Sequence, residues 1–139
     1  MGLIYAEEVG HYWKTGTSSP DHWIDKAIRQ IDEVGGKVLA EGYGSNRQGQ
    51  AAFMLGFEME GERFKLVWPV LESKSGNVAA ARRQAATMLY HDVKAKAMTA
   101  RVLGFKAAFF SYRILPSGQT AAEASTPELQ DAFPKLLSG

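Results

Sequence analysis

The sequence predicts an α+β fold: an amphipathic helix, a three-stranded antiparallel meander, and a long basic helix packed on the sheet. Three observations carry that expectation. Hydrophobic residues recur with a helical period as far as Gly35-Gly36 and with a period of two beyond it. Three period-two runs follow, broken by the turn cluster SNRQGQ and by a tight turn around Gly61. Last comes Val78 to Leu103, 26 residues without Pro or Gly, dense in Ala, Leu, Met, Gln, Arg and Lys. A three-stranded sheet needs a cover for its apolar face, and this stretch is the obvious one.

The elements follow in order. His11, Tyr12, Trp13 and Lys14 crowd an otherwise polar leader. Aromatics so near a terminus dock on the core or on a neighbouring subunit, and Tyr12 and Trp13 are the candidate oligomer contact. Ser19 is the expected N-cap of the first long helix, with Pro20 at its first position and Asp21 in its first turn. Trp23, Ala27, Ile28, Ile31 and Val34 then share one side, and Gly35-Gly36 closes the helix. KVLAEGYG, AAFMLGFEME and RFKLVWPVL read as strands. In the third, Phe64, Leu66 and Trp68 take one face, Lys65 and Val67 the other, and Pro69 puts its end at a sheet edge.

Asn77 caps the long helix and Gly104 stops it. After it, FFSYRIL is aromatic and β-branched enough for a fourth strand or a packed extended segment. Residues 116–119 form a turn, and Thr126 opens a short C-terminal helix. A chain of 139 residues makes one domain over 1–139, burying roughly two thirds of its surface. Within it, 1–18 is leader and oligomer contact, 19–105 the β-β-β-α core with its entering helix, and 106–139 the C-terminal strand and helix.

Composition narrows the chemistry. There is no cysteine, which excludes disulfides and thiolate metal sites, and the net charge is +1, so any basic surface must be local. The N-terminal MGLIYAEEVG does not read as a secretory signal, and no apolar run approaches a bilayer span. The expectation is a cytoplasmic protein away from membranes. His11, His22 and His91 are too far apart for a zinc pattern, and neither a phosphate-cradling glycine loop nor a GxSxG elbow is present. Glu58, Glu60 and Glu62 alternate on a hairpin near Lys65, a pattern that suits plain solvation better than a metal-dependent nuclease. No catalytic residue, metal, cofactor or small-molecule substrate is expected.

What stands out is charge on the long helix. From Ala81 to Lys106 there are six Lys or Arg against one acid, Asp92. At 100° per residue, Ala81, Ala85, Met88, Leu89, Val93, Ala100 and Leu103 share one arc, while Arg83, Thr87, Tyr90, Lys94 and Arg101 form a stripe opposite. Cations spaced to track a backbone, with a ring for bases to stack on, suit a single-stranded nucleic acid. Arg47, Arg63 and Lys65 on the hairpins extend that surface. Asp92 and Lys96, spaced i, i+4 within the apolar arc, make an ion pair that is bridged at a subunit contact or lines a groove.

The succession of helix, meander and long basic helix resembles the core of the single-strand annealing protein superfamily, the ring-forming recombination mediator and its phage recombinase relatives. The likeness is densest at Ala81-Arg82-Arg83-Gln84-Ala85-Ala86-Thr87, with Lys94, Lys96 and Leu103-Gly104 further along. The entering HWIDKAIRQIDEVGGKVLAEGY is similar in layout, and the likeness spans about residues 20–105. The chain also resembles small proteins of phages and mobile elements. The resemblance adds Arg82 and Lys96 to the candidate contacts. It implies a sequence-independent single-stranded DNA binding and annealing protein, acting as an oligomer that can close into a ring, without ATP or metal and without covalent chemistry. The alternative is a mobile-element interaction module whose basic helix meets an acidic protein partner.

Overall fold

The computed structural model describes residues 4–14, 16–45 and 49–125. The leader makes one turn, α1 (Ala6–Val9), and Ala6 is fully buried. Helix α2 (Pro20–Glu33) starts as its local chemistry dictates: Ser19 Oγ accepts a 3.3 Å hydrogen bond from the His22 N–H, and Pro20 sits in the first turn. Ile24, Ala27 and Ile31 are its buried face. Gly36 follows because nothing larger fits: a Cβ there would lie 2.6 Å from Ile31 Cγ2.

Strands β1 (Lys37–Ser45), β2 (Ala51–Met59) and β3 (Glu62–Pro69) form one antiparallel sheet in the order β1-β2-β3. Glu60 (φ 51°) and Gly61 (φ 78°) are both left-handed, as a two-residue hairpin turn of the favoured twist requires. Register places Val38, Phe57 and Phe64 in one cross-strand row and Tyr43, Phe53 and Trp68 in another. A bulge between Val38 and Ala40 interrupts β1. Phe53, Leu55, Phe57, Phe64 and Leu66 are buried on the sheet's inner face.

Helix α3 (Val78–Leu103) roofs that face. Asn77 Oδ1 accepts from the Ala80 N–H at 3.1 Å, and Gly104 ends the helix with φ 92°. Trp23 meets Tyr90 at 5.4 Å and Glu33 meets Arg101 at 3.5 Å, so α2 runs alongside α3 in the same direction.

The segment after Gly104 is not a fourth strand. It forms α4 (Phe105–Ala108) and then a single 3-10 turn, Phe110–Tyr112. Phe105 and Phe109, four apart, stack on each other at 4.5 Å and pack edge-on against Phe57. That spacing puts both rings on one side only in a helical turn. Strand character survives as two isolated bridges, Phe64 with Arg113 and Ile114 with Thr120. A short helix, α5 (Ala121–Ala124), closes the described chain, and the expected helix start at Thr126 lies outside the described residues. No helix among the described residues is long and apolar enough to cross a membrane.

Candidate nucleic-acid interface

The two-sided division of α3 holds for its core side and fails for its basic side. Ala81, Ala85, Leu89 and Val93 are buried as the apolar arc requires. Tyr90 and Thr87 are buried too, Tyr90 only 5% exposed, while Leu103 is 67% exposed. The reason is α2, which covers the flank of α3 that the pattern left to solvent. Tyr90 is therefore no free stacking platform.

Several predicted cations are already paired. Arg101 lies 3.5 Å from Glu33, with both side chains well exposed. Lys96 pairs with Asp92 at 2.9 Å, and the Tyr112 hydroxyl donates to the other Asp92 oxygen. Burial and that contact push the Tyr112 hydroxyl above its ordinary pKa. The Asp92–Lys96 pair thus anchors the segment after α4 within one subunit. Lys65 pairs with Glu123 at 3.6 Å. Lys65 and Arg63 alternate with buried Phe64 and Leu66, so both project from the opposite face of the sheet and cannot extend a surface on α3. Arg47 lies outside the described residues. The hairpin acid Glu62 is taken up by Lys106 and Arg113, at 3.1 and 2.8 Å. Among the described residues, no three His, Asp or Glu side chains gather as a metal site.

Arg82, Arg83 and Lys94 have no carboxylate partner among the described residues. The Arg82 guanidinium lies 4.4 Å from the Tyr43 ring centre, at the β1 side of the helix. The Nε atoms of Arg82 and Arg83 are shielded from solvent without a hydrogen bond. Lys94 is exposed near the Tyr90 ring.

Beside Lys94 the structure assembles a cluster that the charge pattern did not reveal. The leader brings Tyr12 flat onto His91, ring centres 4.8 Å apart and planes 7° from parallel. Trp23 sits 6.1 Å from His91 and tilts against Tyr90. Lys26 Nζ reaches over both Trp23 and Tyr90, at 4.9 and 4.7 Å. Tyr12, Trp23 and His91 are each half-buried, which leaves ring surface open along the α2–α3 seam. Burial, then Lys94 and Lys26, lowers the His91 pKa below its ordinary value, so His91 is neutral at pH 7. Trp13 packs against the core. Both aromatics assigned to an oligomer contact thus dock within their own subunit.

The leader is strapped down to make this possible. Gln84, 1% exposed, donates from Nε2 to the carbonyls of Ala6 (2.9 Å) and His11 (3.1 Å). Glu7 accepts from the N–H groups of Lys74 and Ser75 and from the hydroxyls of Ser73 and Ser75, all within 2.9 Å. Burial raises the Glu7 pKa, but these hydrogen bonds outweigh it and hold the carboxyl well below the usual range.

No family model matches the chain, and no curated protein or solved structure does. The seam must be read from its own chemistry. Trp23, Lys26 and His91 were legible only as one apolar ring, one cation and one lone histidine. The available signal was their spacing: Trp23 and Lys26 are three apart on α2, as are His91 and Lys94 on α3, so each helix offers one ring and one cation on one side.

Proposed function

We propose that the protein binds single-stranded DNA without sequence preference along the α2–α3 seam and promotes strand annealing as an oligomer. One observation carries this reading: the half-open rings of Tyr12, Trp23 and His91 cluster beside Lys26 and Lys94, which both approach the Tyr90 ring, and among the described residues neither cation has a carboxylate partner. Every base has a π-face, so rings flanked by cations hold bases and phosphates irrespective of sequence. Arg83 lies eleven residues before Lys94, about 16 Å along the axis, and would take the next phosphates. The likeness of the helix–meander–helix order to single-strand annealing proteins supports the same reading. The surface is narrow, because α2 exposes Asp21, Asp25, Asp32 and Glu33 beyond the seam. Affinity per site is therefore on the order of 10⁻⁴ to 10⁻⁶ M.

Fluorescence anisotropy with labelled oligo-dT over a salt series tests it. Three phosphate contacts predict a log–log slope of about −2, or roughly fifteenfold weaker binding between about 50 and 200 mM salt. Lys94→Glu and Lys26→Glu should each lower affinity severalfold with an unchanged circular dichroism spectrum. Arg101→Glu should matter less, because Glu33 already neutralises Arg101. No binding at about 50 mM salt overturns the reading.

A further inference from the structure

Among the described residues, the segment after α4 reaches the sheet face opposite α3 only at its β3 side, through Ile114 and Glu123, and leaves Met54 and Val67 exposed. The cross-strand rows of that face are Ala40–Gly56–Lys65 and Gly42–Met54–Val67, with Gly44 beyond them. Met54 and Val67, neighbours in the register, are each 44% exposed. A Cβ built on Gly42 or Gly44 would meet nothing within 4 Å, and on Gly56 only Ala40 at 3.8 Å. A sheet face open to water normally carries polar side chains at alternate positions. Here the single charge in the two central rows, Lys65, is already paired with Glu123. Charged residues return only in the end row, Lys37–Glu58–Arg63.

We propose that this face packs against the same face of a second copy. A two-fold axis parallel to the sheet and midway between the two copies, perpendicular to the strands and passing between the two central rows, is the arrangement that the relief favours. It sets the Met54 knob of each copy over the hollow at Gly56 of the other. It also lays the aliphatic stem of Lys65 along Val67 and leaves both charged end rows on the rim. Three strands at about 4.8 Å and four rows at about 6.8 Å give a footprint of roughly 400 Å² per copy in plan. With side-chain relief the total comes to about 1,000 Å², the threshold of a specific but reversible interface, so the dimer forms at micromolar concentration or above. The contact is isologous and closes on itself.

The absence of native cysteine makes a single-thiol test direct. Met54→Cys is labelled with a maleimide over a hundredfold range of protein concentration, and sedimentation velocity follows the wild type and Val67→Lys over the same range. The dimer predicts labelling that slows at least fivefold as concentration rises, and a monomer–dimer equilibrium in the wild type that Val67→Lys abolishes. Protection that is independent of concentration would mean that another part of the chain covers the face, and overturns the proposal. Thiol reactivity that stays high throughout, or a dimer that survives Val67→Lys, overturns it as well. Should Val67→Lys fail to fold, the thiol protection decides alone. Oligo-dT binding is read on the same samples: a short oligonucleotide should bind Val67→Lys as it binds the wild type, so the two readings can fail separately.

Discussion

His91 is the ring of the seam whose proton affinity its surroundings shift. Its surroundings are Tyr12 above, Tyr90 and Trp23 to the sides, and the cations Lys94 and Lys26. Burial and those two cations disfavour the protonated ring, so its folded pKa lies below the ordinary value of 6.5. The sign follows. The unfolded chain takes up the proton first, so the stability that neutral His91 contributes is present above pH 6.5 and is lost as pH falls through the folded value. His91→Gln should flatten that part of the stability–pH curve, as thermal melts would show. A bound phosphate backbone would neutralise Lys94 and Lys26 and remove part of the bias against protonation. Oligo-dT should therefore raise the His91 pKa, visible in a proton NMR titration, and binding should tighten as pH falls below 6.5. A His91 titration indifferent to the oligonucleotide would place the strand elsewhere.

At the scale of elements, the ends of α2, the meander and α3 were legible because short-range chemistry fixes them. Ser19-Pro20, Gly35-Gly36, Glu60-Gly61, Asn77 and Gly104 each act within a few residues of themselves. The basic face of α3 was not legible. Which flank is wet depends on where α2 lies, and Tyr90 is buried by a helix more than fifty residues earlier in the chain. FFSYRIL (109–115) was legible only in part for a related reason: Arg113 and Ile114 make the extended bridges its composition suits, but Phe109 stacks on Phe105 in the core at the end of a helical turn and 110–112 is a 3-10 turn. The leader was least legible, since its hold comes from Gln84 and the 73–75 loop, far along the chain. Tyr12 sits at φ 59°, a left-handed conformation that a bulky residue keeps only when its surroundings hold it. Gln84→Leu would strand two carbonyls at a cost of roughly 2–3 kcal/mol. It should free the leader to proteolysis and separate Tyr12 from His91. Limited trypsin digestion at Lys14 measures the release. Weakened oligo-dT binding in the same variant would show that the leader ring belongs to the site.

On the scale of the whole molecule, each protomer is two layers, helices over sheet, with the seam on the helical side and the bare apolar rows on the other. Pairing the bare faces gives four layers, helix–sheet–sheet–helix, and places the two seams on opposite outer surfaces. At about 10 Å per layer they stand roughly 30 Å apart. On the proposed binding mode and dimer, a short oligonucleotide would engage one seam and could not sense the second. A longer one would wrap the edge of the dimer, and its second contact would become intramolecular, worth about 10² to 10⁴ in avidity when the length matches the span. Wild type should therefore show a step in affinity as oligo-dT is lengthened, at protein concentrations where the dimer is populated. Val67→Lys should bind short oligomers equally well and show no step, because its substitution lies a full layer away from Lys94 and the two effects are independent. A step that persists in Val67→Lys would mean that neighbouring protomers are joined through some other surface. A step that vanishes together with short-oligomer binding would mean that the sheet substitution has disturbed the seam itself, which the separation of the two faces forbids.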